Sequence, residues 1–205
     1  MKVVIIDYQM SNMFSVKNAL DKVGIKNCIS SDPNVLIEAD GAILPGVGSF
    51  CEAMAKINDL KLNEAIINFI DSKRPFMGIC LGLQLLFSES LEFKKTKGLN
   101  IIQGLVKKIE SKQNNLKVPH VGWNKVKFGQ ENKINFFNEN FFYFVHSFHV
   151  EPINGKLINS TTQYGDLNIC SSILKENIFA CQFHPEKSGL EGIKIFENFF
   201  LKNGQ

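Results

Sequence analysis

The pentapeptide Gly78-Ile79-Cys80-Leu81-Gly82 has the residue types and spacing of a nucleophile elbow in which cysteine replaces serine. It lies where an apolar run, predicted to be a strand, meets a helical pattern. A tight turn from strand to helix strains the backbone of the nucleophile and requires residues without side chains two positions before and after it. The helix dipole at such a turn favours the thiolate. Cys80 is therefore the candidate nucleophile, and the other four cysteines are interpreted as inert thiols.

A thiol nucleophile needs a base, and the base needs a group that orients it. His184 ends a strand-like run and is followed by Pro185 and Glu186. Proline favours an extended conformation of the residue before it, so His184 and Glu186, two residues apart, are predicted to project to the same side. One carboxylate can then hold one imidazole. Cys80, His184 and Glu186 form a candidate catalytic triad.

A third motif, Pro45-Gly46-Val47-Gly48, stands at the end of another predicted strand. In open α/β sheets, ligands bind at the carboxyl ends of the strands. Glycines on both sides of Val47 let the peptide planes reorient, so that a main-chain N–H can face a developing oxyanion. The N–H of Leu81 is the expected second donor.

The elements that must position these motifs alternate, in the first half of the chain, between β-branched runs and helical patterns. This alternation is typical of βαβ units with a parallel sheet. A helix is predicted over residues 12–23 from its apolar stripe, and Asp32 and Pro33 begin another. Helical patterns also cover 49–71, as one helix or a pair, and 81–87. The strands expected in this half cover residues 3–6, 27–29, 42–44 and 75–79.

The second half contains short strand-like runs separated by Gly, Asn and Pro, which indicates antiparallel or mixed additions to the parallel core. A helix is predicted over 189–201, packed through Ile193, Phe196 and Phe200. The Phe-rich stretch 134–148 is interpreted as core rather than as a binding site. The strands expected in this half cover residues 106–109, 118–123, 141–145, 156–159, 168–174 and 178–183.

These elements predict an α/β fold, with an open, mostly parallel twisted sheet and antiparallel or mixed strands in the C-terminal half. Helices are expected on both faces of the sheet. A length of 205 residues suits one large domain, and no Pro-, Gly- or Ser-rich linker divides the chain. Residues 1–205 are therefore expected to form a single domain.

Composition excludes several classes of partner. A net charge of +3, from 23 basic and 20 acidic residues, leaves no cationic excess for a phosphate-neutralising surface, so no nucleic-acid partner is expected. The apolar run at the start is too short for a signal peptide, and no membrane partner is expected. Five cysteines without close pairs are typical of reduced thiols in the cytoplasm. No cofactor or metal is expected, because His146 and His149 have no thiolate or carboxylate ligand nearby in the sequence.

The elbow around Cys80 with Gln84, followed by His184-Pro185-Glu186, resembles the triad glutamine amidotransferases. Four finer motifs, distributed from one end of the chain to the other, are similar to those of the glutaminase subunits of imidazole glycerol phosphate synthase. Other members of the superfamily usually carry Gly-Gly after the proline of the oxyanion turn and lack the Gly-Trp-Asn block. The four motifs are Pro45-Gly46-Val47-Gly48, Pro119-His120-Val121-Gly122-Trp123-Asn124, Tyr143-Phe144-Val145-His146-Ser147 and His184-Pro185-Glu186-Lys187-Ser188.

The resemblance implies a flavodoxin-like fold and a role for each matching residue. Cys80 would attack the side-chain amide of glutamine to form a thioester, from which water releases glutamate. His184 would act as base and then protonate the leaving ammonia, and Glu186 would orient His184. Val47 would supply a switchable oxyanion donor. Glutamine would be held by Gly48, Gln84 and the backbone around His146, Ser147 and Phe148.

The resemblance also implies a partner subunit, a (β/α)8 barrel cyclase that forms a heterodimer with this chain. Ammonia would pass into the barrel, which uses it in histidine biosynthesis to form imidazole glycerol phosphate and the aminoimidazole carboxamide ribotide of purine synthesis. Trp123 and Lys187 match family positions at that interface, and Asn12 is expected in the same region.

One loop departs from the family pattern. The family usually has Asp-Tyr-Gly-x-Gly-Asn after the first strand, whereas this chain has Asp7-Tyr8-Gln9-Met10-Ser11-Asn12. Glycine permits positive φ and close backbone approach, so Gln9 and Ser11 are expected to stiffen or reshape a loop that meets the partner and the oxyanion strand. The ammonia acceptor therefore stays open between the histidine pathway and a sugar-modifying amidotransferase.

Two further functions use the same residues differently. A free-standing Cys-His-Glu hydrolase of γ-glutamyl peptides needs a wide cleft and gives no role to Trp123 or Lys187. A catalytically silent regulatory module has no chemical use for three matched groups. Glutaminase activity, measured with and without a barrel partner, discriminates among these functions.

Overall fold

The computed structural model of the protein describes residues 1–111, 116–129 and 140–202. In the first half, the strands are β1 (Lys2–Ile6), β2 (Lys26–Ser30), β3 (Gly41–Gly46), β4 (Phe76–Cys80), β5 (Phe87–Ser90) and β6 (Thr96–Lys97). They are followed by β7 (Ile102–Lys108), β8 (His120–Phe128), β9 (Asn140–His146), β10 (Phe148–Pro152), β11 (Ile158–Tyr164), β12 (Leu167–Lys175) and β13 (Ile178–Cys181). The α-helices are α1 (Met13–Lys22), α2 (Pro33–Glu38), α3 (Phe50–Asp59), α4 (Leu62–Asp71), α5 (Leu81–Leu85) and α6 (Gly189–Glu197). Short 3-10 turns occur at Gly155–Leu157 and Pro185–Lys187, and a π-helical turn at Asn198–Lys202.

The larger sheet has nine strands in the order β2-β1-β3-β4-β13-β12-β11-β8-β9. The strands from β2 to β13 are parallel to their neighbours, and the remaining strands are added antiparallel. This arrangement confirms the predicted parallel core with antiparallel additions. β13 lies between β4 and β12, and Ile79 of β4 pairs with Cys181 of β13. The segments that carry Cys80 and His184 are therefore neighbours in space.

Helices cover both faces of the parallel strands, as predicted. Alternate residues of β1 belong to two separate hydrophobic clusters. Val4 and Ile6 pack in the cluster that contains α2, α3, α4 and α5, whereas Val3 and Ile5 pack in the cluster that contains α1 and α6. A parallel strand between two helical layers has no solvent-facing side, which explains why these strands read as uninterrupted apolar runs.

Local signals place the start of α2 and the end of α1 close to their predicted positions. Asp32 caps α2, because its Oδ1 accepts a hydrogen bond of 2.8 Å from the backbone N–H of Asn34. Pro33 occupies the first helical position, where its missing N–H costs nothing. Gly24 follows α1 with a φ of 72°, a left-handed conformation that glycine adopts without strain.

The structure corrects several predicted boundaries. The helix predicted over 81–87 ends at Leu85, and Phe87 begins β5 instead. β5 belongs to a second sheet of four strands, in the order β10-β7-β5-β6, which the sequence did not predict. The helix predicted over 189–201 is α6 followed by the π-helical turn at 198–202, and Phe196 and Phe200 are buried as expected.

The Phe-rich stretch 134–148 is only partly core. Phe142 and Phe144 are fully buried, but Phe141 is 56% exposed. Its residues 134–139 lie outside the described residues. None of the helices in the described part of the chain is long and apolar enough to cross a membrane.

Candidate active site

Cys80 lies at the junction of β4 and α5 with a φ of 55° and a ψ of −107°. Only a surrounding structure that fixes the backbone can hold a non-glycine residue in this strained conformation. The glycines at both ends of the motif leave space for the turn. A Cβ on Gly82 would lie 1.8 Å from the carbonyl oxygen of Leu44, and a Cβ on Gly78 would lie 3.0 Å from that of Gly82. The local geometry is that of a nucleophile elbow.

Two amide side chains connect the nucleophile to the wall of the site. Gln182 Nε2 donates a hydrogen bond to Cys80 Sγ at 3.6 Å. Gln84 Nε2 donates to Gln182 Oε1 at 3.1 Å and to the carbonyl of Phe148 at 3.0 Å, which fixes the amide of Gln182 with its N–H groups toward the sulfur. A buried donor at this position stabilises a thiolate. The sequence analysis missed Gln182, although it stands two residues before His184.

The His184 side chain is buried and oriented by Glu186. His184 Nδ1 and Glu186 Oε1 are 2.7 Å apart, and only 4% and 3% of the two side chains are exposed. Burial favours the neutral imidazole, but the Cys80 thiolate and the Glu186 carboxylate outweigh it and raise the pKa of His184 to about 10. His184 Nε2 is buried, and it has no hydrogen-bond partner of normal geometry among the described residues. The raised pKa keeps the His184 imidazole protonated at neutral pH.

The oxyanion turn does not present its predicted donor to the pocket. The backbone N–H of Val47 donates a 3.0 Å hydrogen bond to the carbonyl of Met10. Gly48 has a φ of 94°, which favours glycine, and the Val47 side chain is 42% exposed. Leu81, the residue of the second predicted donor, is the first residue of α5, next to Cys80. Of the two residues predicted to supply donors, Leu81 lines the pocket beside Cys80, whereas the N–H of Val47 is bound to Met10.

The loop that departs from the family pattern holds Val47 in this position. Gln9 adopts a φ of 68°, so it takes the left-handed conformation that glycine would adopt more easily. Its backbone N–H donates to Asp7 Oδ1 at 2.7 Å, and its side chain accepts from Lys56 Nζ at 3.3 Å. The backbone of the loop is therefore strained at Gln9, and the carbonyl of the following residue, Met10, binds the N–H of Val47.

Most predicted site residues line one pocket of about 340 Å³. Those residues are Val47, Gly48, Cys80, Leu81, Gln84, His146, Ser147, Phe148 and His184. Glu92, Pro119 and Val145 also line the pocket and were not predicted. The Glu92 carboxylate accepts a 2.6 Å hydrogen bond from the backbone N–H of Phe50, at the beginning of α3. No local pattern identifies Glu92, because it reaches the pocket through tertiary packing.

His146 supports the pocket wall through a chain of hydrogen bonds. Asn124 Nδ2 donates to His120 Nε2 at 3.3 Å, so His120 Nδ1 carries the proton that contacts His146 Nε2 at 2.9 Å. His146 Nδ1 then donates to the carbonyl of Phe148 at 2.8 Å. Burial lowers the pKa of His120 to about 4 and that of His146 to about 3, so both imidazoles are neutral. The neutral forms fit this chain because each ring then has one donor and one acceptor.

Trp123 and Lys187 lie together around a third side chain, Tyr143. Lys187 Nζ is 5.9 Å from the centre of the Tyr143 ring, and the Trp123 ring is 6.3 Å from it in an edge-on arrangement. Trp123 is 55% exposed, and Lys187 and Asn12 are also exposed. Asn12 precedes α1, which contacts the turn that carries Lys187. Trp123 and Lys187 therefore lie close together, and the helix that follows Asn12 contacts the same turn.

Within the described residues, no group of three or more His, Cys, Asp or Glu side chains could hold a metal ion. All five cysteines lie in the described part of the chain, and each is a free thiol. Burial raises the pKa of the Cys170 thiol to about 12 and that of Cys181 well above its ordinary value. These two thiols are therefore inert, as expected.

An elbow cysteine, an adjacent histidine–carboxylate pair and this sheet order are the features of a triad amidotransferase on an α/β fold. The model of the class-I glutamine amidotransferase family matches residues 4–203, and the chain belongs to that family. The fold is shared with solved members of the class. The structure of PurLQS from Thermotoga maritima has a TM-score of 0.77 at 20% identity and covers 100% of this chain and 99% of its own.

Relatives identify the branch of the family. Imidazole glycerol phosphate synthase subunit HisH of Geobacter metallireducens is 40% identical over 211 residues, which cover 97% of both chains. The protein of the same name from Aquifex aeolicus is 43% identical and covers 98% of this chain and 97% of its own. Within the class, the chain is a member of the HisH family.

Proposed function

We propose that the protein is the glutaminase subunit of an imidazole glycerol phosphate synthase. It hydrolyses L-glutamine to glutamate and ammonia, and the ammonia passes to a (β/α)8 barrel cyclase subunit in histidine biosynthesis. The observation that carries this proposal is the triad of Cys80, His184 and Glu186, at a pocket whose oxyanion donor is turned away. A complete triad with an incomplete oxyanion hole suits an enzyme that a partner activates.

The first half of the reaction follows from the thiolate–imidazolium pair. The Cys80 thiolate attacks the side-chain amide carbon of glutamine, and the carbonyl oxygen becomes an oxyanion. His184 Nε2 gives its proton to the amide nitrogen, the C–N bond breaks, and ammonia leaves. Glu186 keeps the imidazole oriented through Nδ1 and stabilises its charge. A thioester remains on Cys80.

The second half consumes one water. His184, now neutral, takes a proton from the water that attacks the thioester carbon. The C–S bond breaks, glutamate leaves, and Cys80 returns as a thiolate beside the imidazolium. The hydrogen bond from Gln182 stabilises the sulfur as a leaving group. The balance is glutamine and water in, glutamate and ammonia out.

The pocket walls suit the α-amino acid end of glutamine. Among the described residues that line the pocket, Glu92 is the one carboxylate, and it provides a negative charge for the α-ammonium group. Gln84 of α5 donates a hydrogen bond to the Phe148 carbonyl, and His146 donates to the same carbonyl. Gly48, Ser147 and Phe148 then supply backbone to a glutamine held between Glu92 and Cys80.

An exposed apolar surface supports the proposal of a barrel partner. β8 and β9 pair in register, with Val121 opposite Val145 and Trp123 opposite Tyr143. Side chains alternate between the two faces of a strand, so these residues share one face. Val121, Trp123 and Val145 are 56%, 55% and 37% exposed. A contiguous apolar face of this kind marks an interaction site, and it adjoins both the pocket and Lys187.

These features favour the partner-dependent enzyme over the alternatives. A free-standing γ-glutamyl hydrolase has no need of an apolar face beside its pocket or of an oxyanion donor turned away. Relatives named as subunits of imidazole glycerol phosphate synthase favour the histidine pathway over a sugar-modifying amidotransferase. We extend the proposal to a single domain over residues 1–205 that acts in the cytoplasm, where five free thiols stay reduced.

Glutamate release by the purified chain tests the proposal. The assay uses the chain alone, with a histidine-pathway barrel subunit, and with the barrel and its ribonucleotide ligand. We expect little activity from the chain alone and a rise in kcat with the barrel and its ligand, because they favour the reoriented Val47 peptide. Full activity of the chain alone would point to the free-standing hydrolase. Absence of docking would point to a different ammonia acceptor.

A further inference from the structure

The Tyr8 hydroxyl is a buried polar group that the proposed mechanism leaves without a task. Tyr8 follows β1 and is 0% exposed. Its hydroxyl makes no hydrogen bond to any of the described residues. A buried hydroxyl of this kind needs an explanation, since such groups are normally satisfied.

The hydroxyl lies directly against the residue that precedes the oxyanion donor. A Cβ on Gly46 would lie 2.1 Å from Tyr8 Oη. The Tyr8 hydroxyl thus occupies the space that a side chain at position 46 would need. Burial and the neighbouring Cys80 thiolate raise the pKa of Tyr8 far above the physiological range, so the hydroxyl remains a donor.

Reorientation of the oxyanion turn creates a need for a donor at this place. The carbonyl of Gly46 and the N–H of Val47 belong to one trans peptide and point in opposite directions. Val47 N–H now points to Met10, in the loop that also carries Tyr8. When the peptide rotates to bring this N–H to the oxyanion, the Gly46 carbonyl turns toward the loop. A buried carbonyl there requires a hydrogen bond.

We propose that the Tyr8 hydroxyl donates a hydrogen bond to the Gly46 carbonyl in the reoriented state. Tyr8 is then a positioning residue that stabilises the active form of the oxyanion turn. It is not a catalytic residue, because it is fully buried and is not among the residues that line the pocket. This inference rests on the proposed glutaminase function and deepens it.

The variant Tyr8→Phe keeps the ring and removes only the hydroxyl. We expect kcat for glutamate release, measured with the barrel subunit and its ligand, to fall about five- to tenfold, the loss of one neutral hydrogen bond. KM for glutamine and affinity for the barrel should not change. The Tm of the free chain should stay the same or rise, because the hydroxyl has no hydrogen bond to lose before reorientation.

Tyr164→Phe is the matched control. The Tyr164 hydroxyl donates a 2.6 Å hydrogen bond to the carbonyl of Lys117, so its loss should lower Tm while leaving kcat unchanged. The two variants therefore predict opposite patterns. An unchanged kcat for Tyr8→Phe would overturn the proposal, and so would a fall in kcat accompanied by a matching fall in Tm.

Failure of the proposed function gives a different result. If the barrel does not stimulate the wild-type chain, the partner assignment is wrong. The kcat of the free chain then tests Tyr8 in the same way, because the oxyanion needs the same peptide donor without a partner. A fall in that kcat for Tyr8→Phe, and none for Tyr164→Phe, would support the role of Tyr8, and equal values for Tyr8→Phe and wild type would overturn it.

Discussion

The two halves of the active site differ in how completely they are assembled. In the proposed triad, the side chains of Cys80, His184 and Glu186 are buried, His184 Nδ1 is 2.7 Å from Glu186 Oε1, and the pKa of His184 is raised to about 10. In the proposed oxyanion turn, the backbone N–H of Val47 is bound to the carbonyl of Met10 instead. Under the proposed function, the group that attacks glutamine is ready before the partner binds, whereas the group that stabilises the oxyanion is not. The orientation of one peptide, between Gly46 and Val47, accounts for this difference.

The difference has a structural cause. Cys80 ends β4, and His184 follows β13, and both are central strands that are packed between helices and paired with a neighbouring strand on each side. The oxyanion turn is a partly exposed connection between β3 and α3, and its neighbour is a loop with a strained residue, Gln9. A rigid core fixes the triad, whereas two adjoining loops set the state of the turn.

Removal of the proposed nucleophile has the largest expected effect and directly tests the triad of Cys80, His184 and Glu186. Cys80→Ala should abolish glutamate release in the presence of the barrel while leaving the Tm and barrel affinity unchanged, because the thiolate is required for attack. Cys51→Ala is the control, since Cys51 is half-buried on α3 and does not line the pocket. Near-native activity of Cys80→Ala, or an equal loss in Cys51→Ala, would identify a different nucleophile.

Substitution of the proposed base and of its orienting group should show how much each contributes to kcat. His184→Ala should lower kcat about 10²- to 10⁴-fold, the usual contribution of a positioned proton-transfer group. Glu186→Gln should cost less, because an amide oxygen still accepts from Nδ1 although the charge is lost. Steady-state glutamate release with the barrel measures both variants. A greater loss in Glu186→Gln than in His184→Ala would contradict these roles.

Titration of His184 tests the electrostatic interaction between His184 and Cys80. Its pKa of about 10 depends on the Cys80 thiolate, which opposes the effect of burial. In Cys80→Ala, the thiolate no longer opposes the effect of burial. The pKa of His184 should therefore fall, and the imidazole should lose its proton at a lower pH than in wild type. NMR of the His184 ring proton between pH 5 and 11 measures the change. Cys170→Ala, a buried control, should titrate like wild type, and an unchanged pKa in Cys80→Ala would remove the thiolate as the cause.

The smallest effect concerns the loop beside the oxyanion turn. Gln9→Gly should raise the free energy of unfolding by up to about 1 kcal/mol, because glycine adopts the observed positive φ without strain. Gln9→Ala keeps the strain and loses the contact with Lys56, so it should be slightly less stable than wild type. Urea unfolding compares the three chains, and a destabilised Gln9→Gly would show that the side-chain contact outweighs the strain.

The same loop is expected to limit how readily the oxyanion turn reorients. Gln9→Gly/Ser11→Gly should increase the ligand-stimulated rise in glutaminase rate while changing barrel affinity little, because glycine gives the loop more conformational freedom. A titration with the barrel followed by glutamate release measures both quantities. Equal stimulation of the variant and the wild type would show that Gln9 and Ser11 do not limit reorientation.

Local patterns predicted the parts of the site that depend on local structure. The elbow at Cys80 and the pair of His184 and Glu186 could each be predicted, because each depends on the spacing of residues at the end of a single strand. The end of α5 could not be predicted in this way. The apolar residues that continue through Phe87 suit a buried helix or a buried strand, and only packing of the second sheet decides between them. The bond from Val47 to Met10 and the role of Gln182 were missed because each joins segments far apart in the chain.

The place of β13 between β4 and β12 governs how the chain can fold. β4 ends at Cys80, but its partner on one side is made only when residues 178–181 are synthesised. Pairing between such distant segments is slow to form, and until it forms β4 exposes an open edge that invites aggregation. Docking of β13 closes this edge and brings His184 to the thiol in one event. A nascent or partly folded chain therefore carries a thiol without its base.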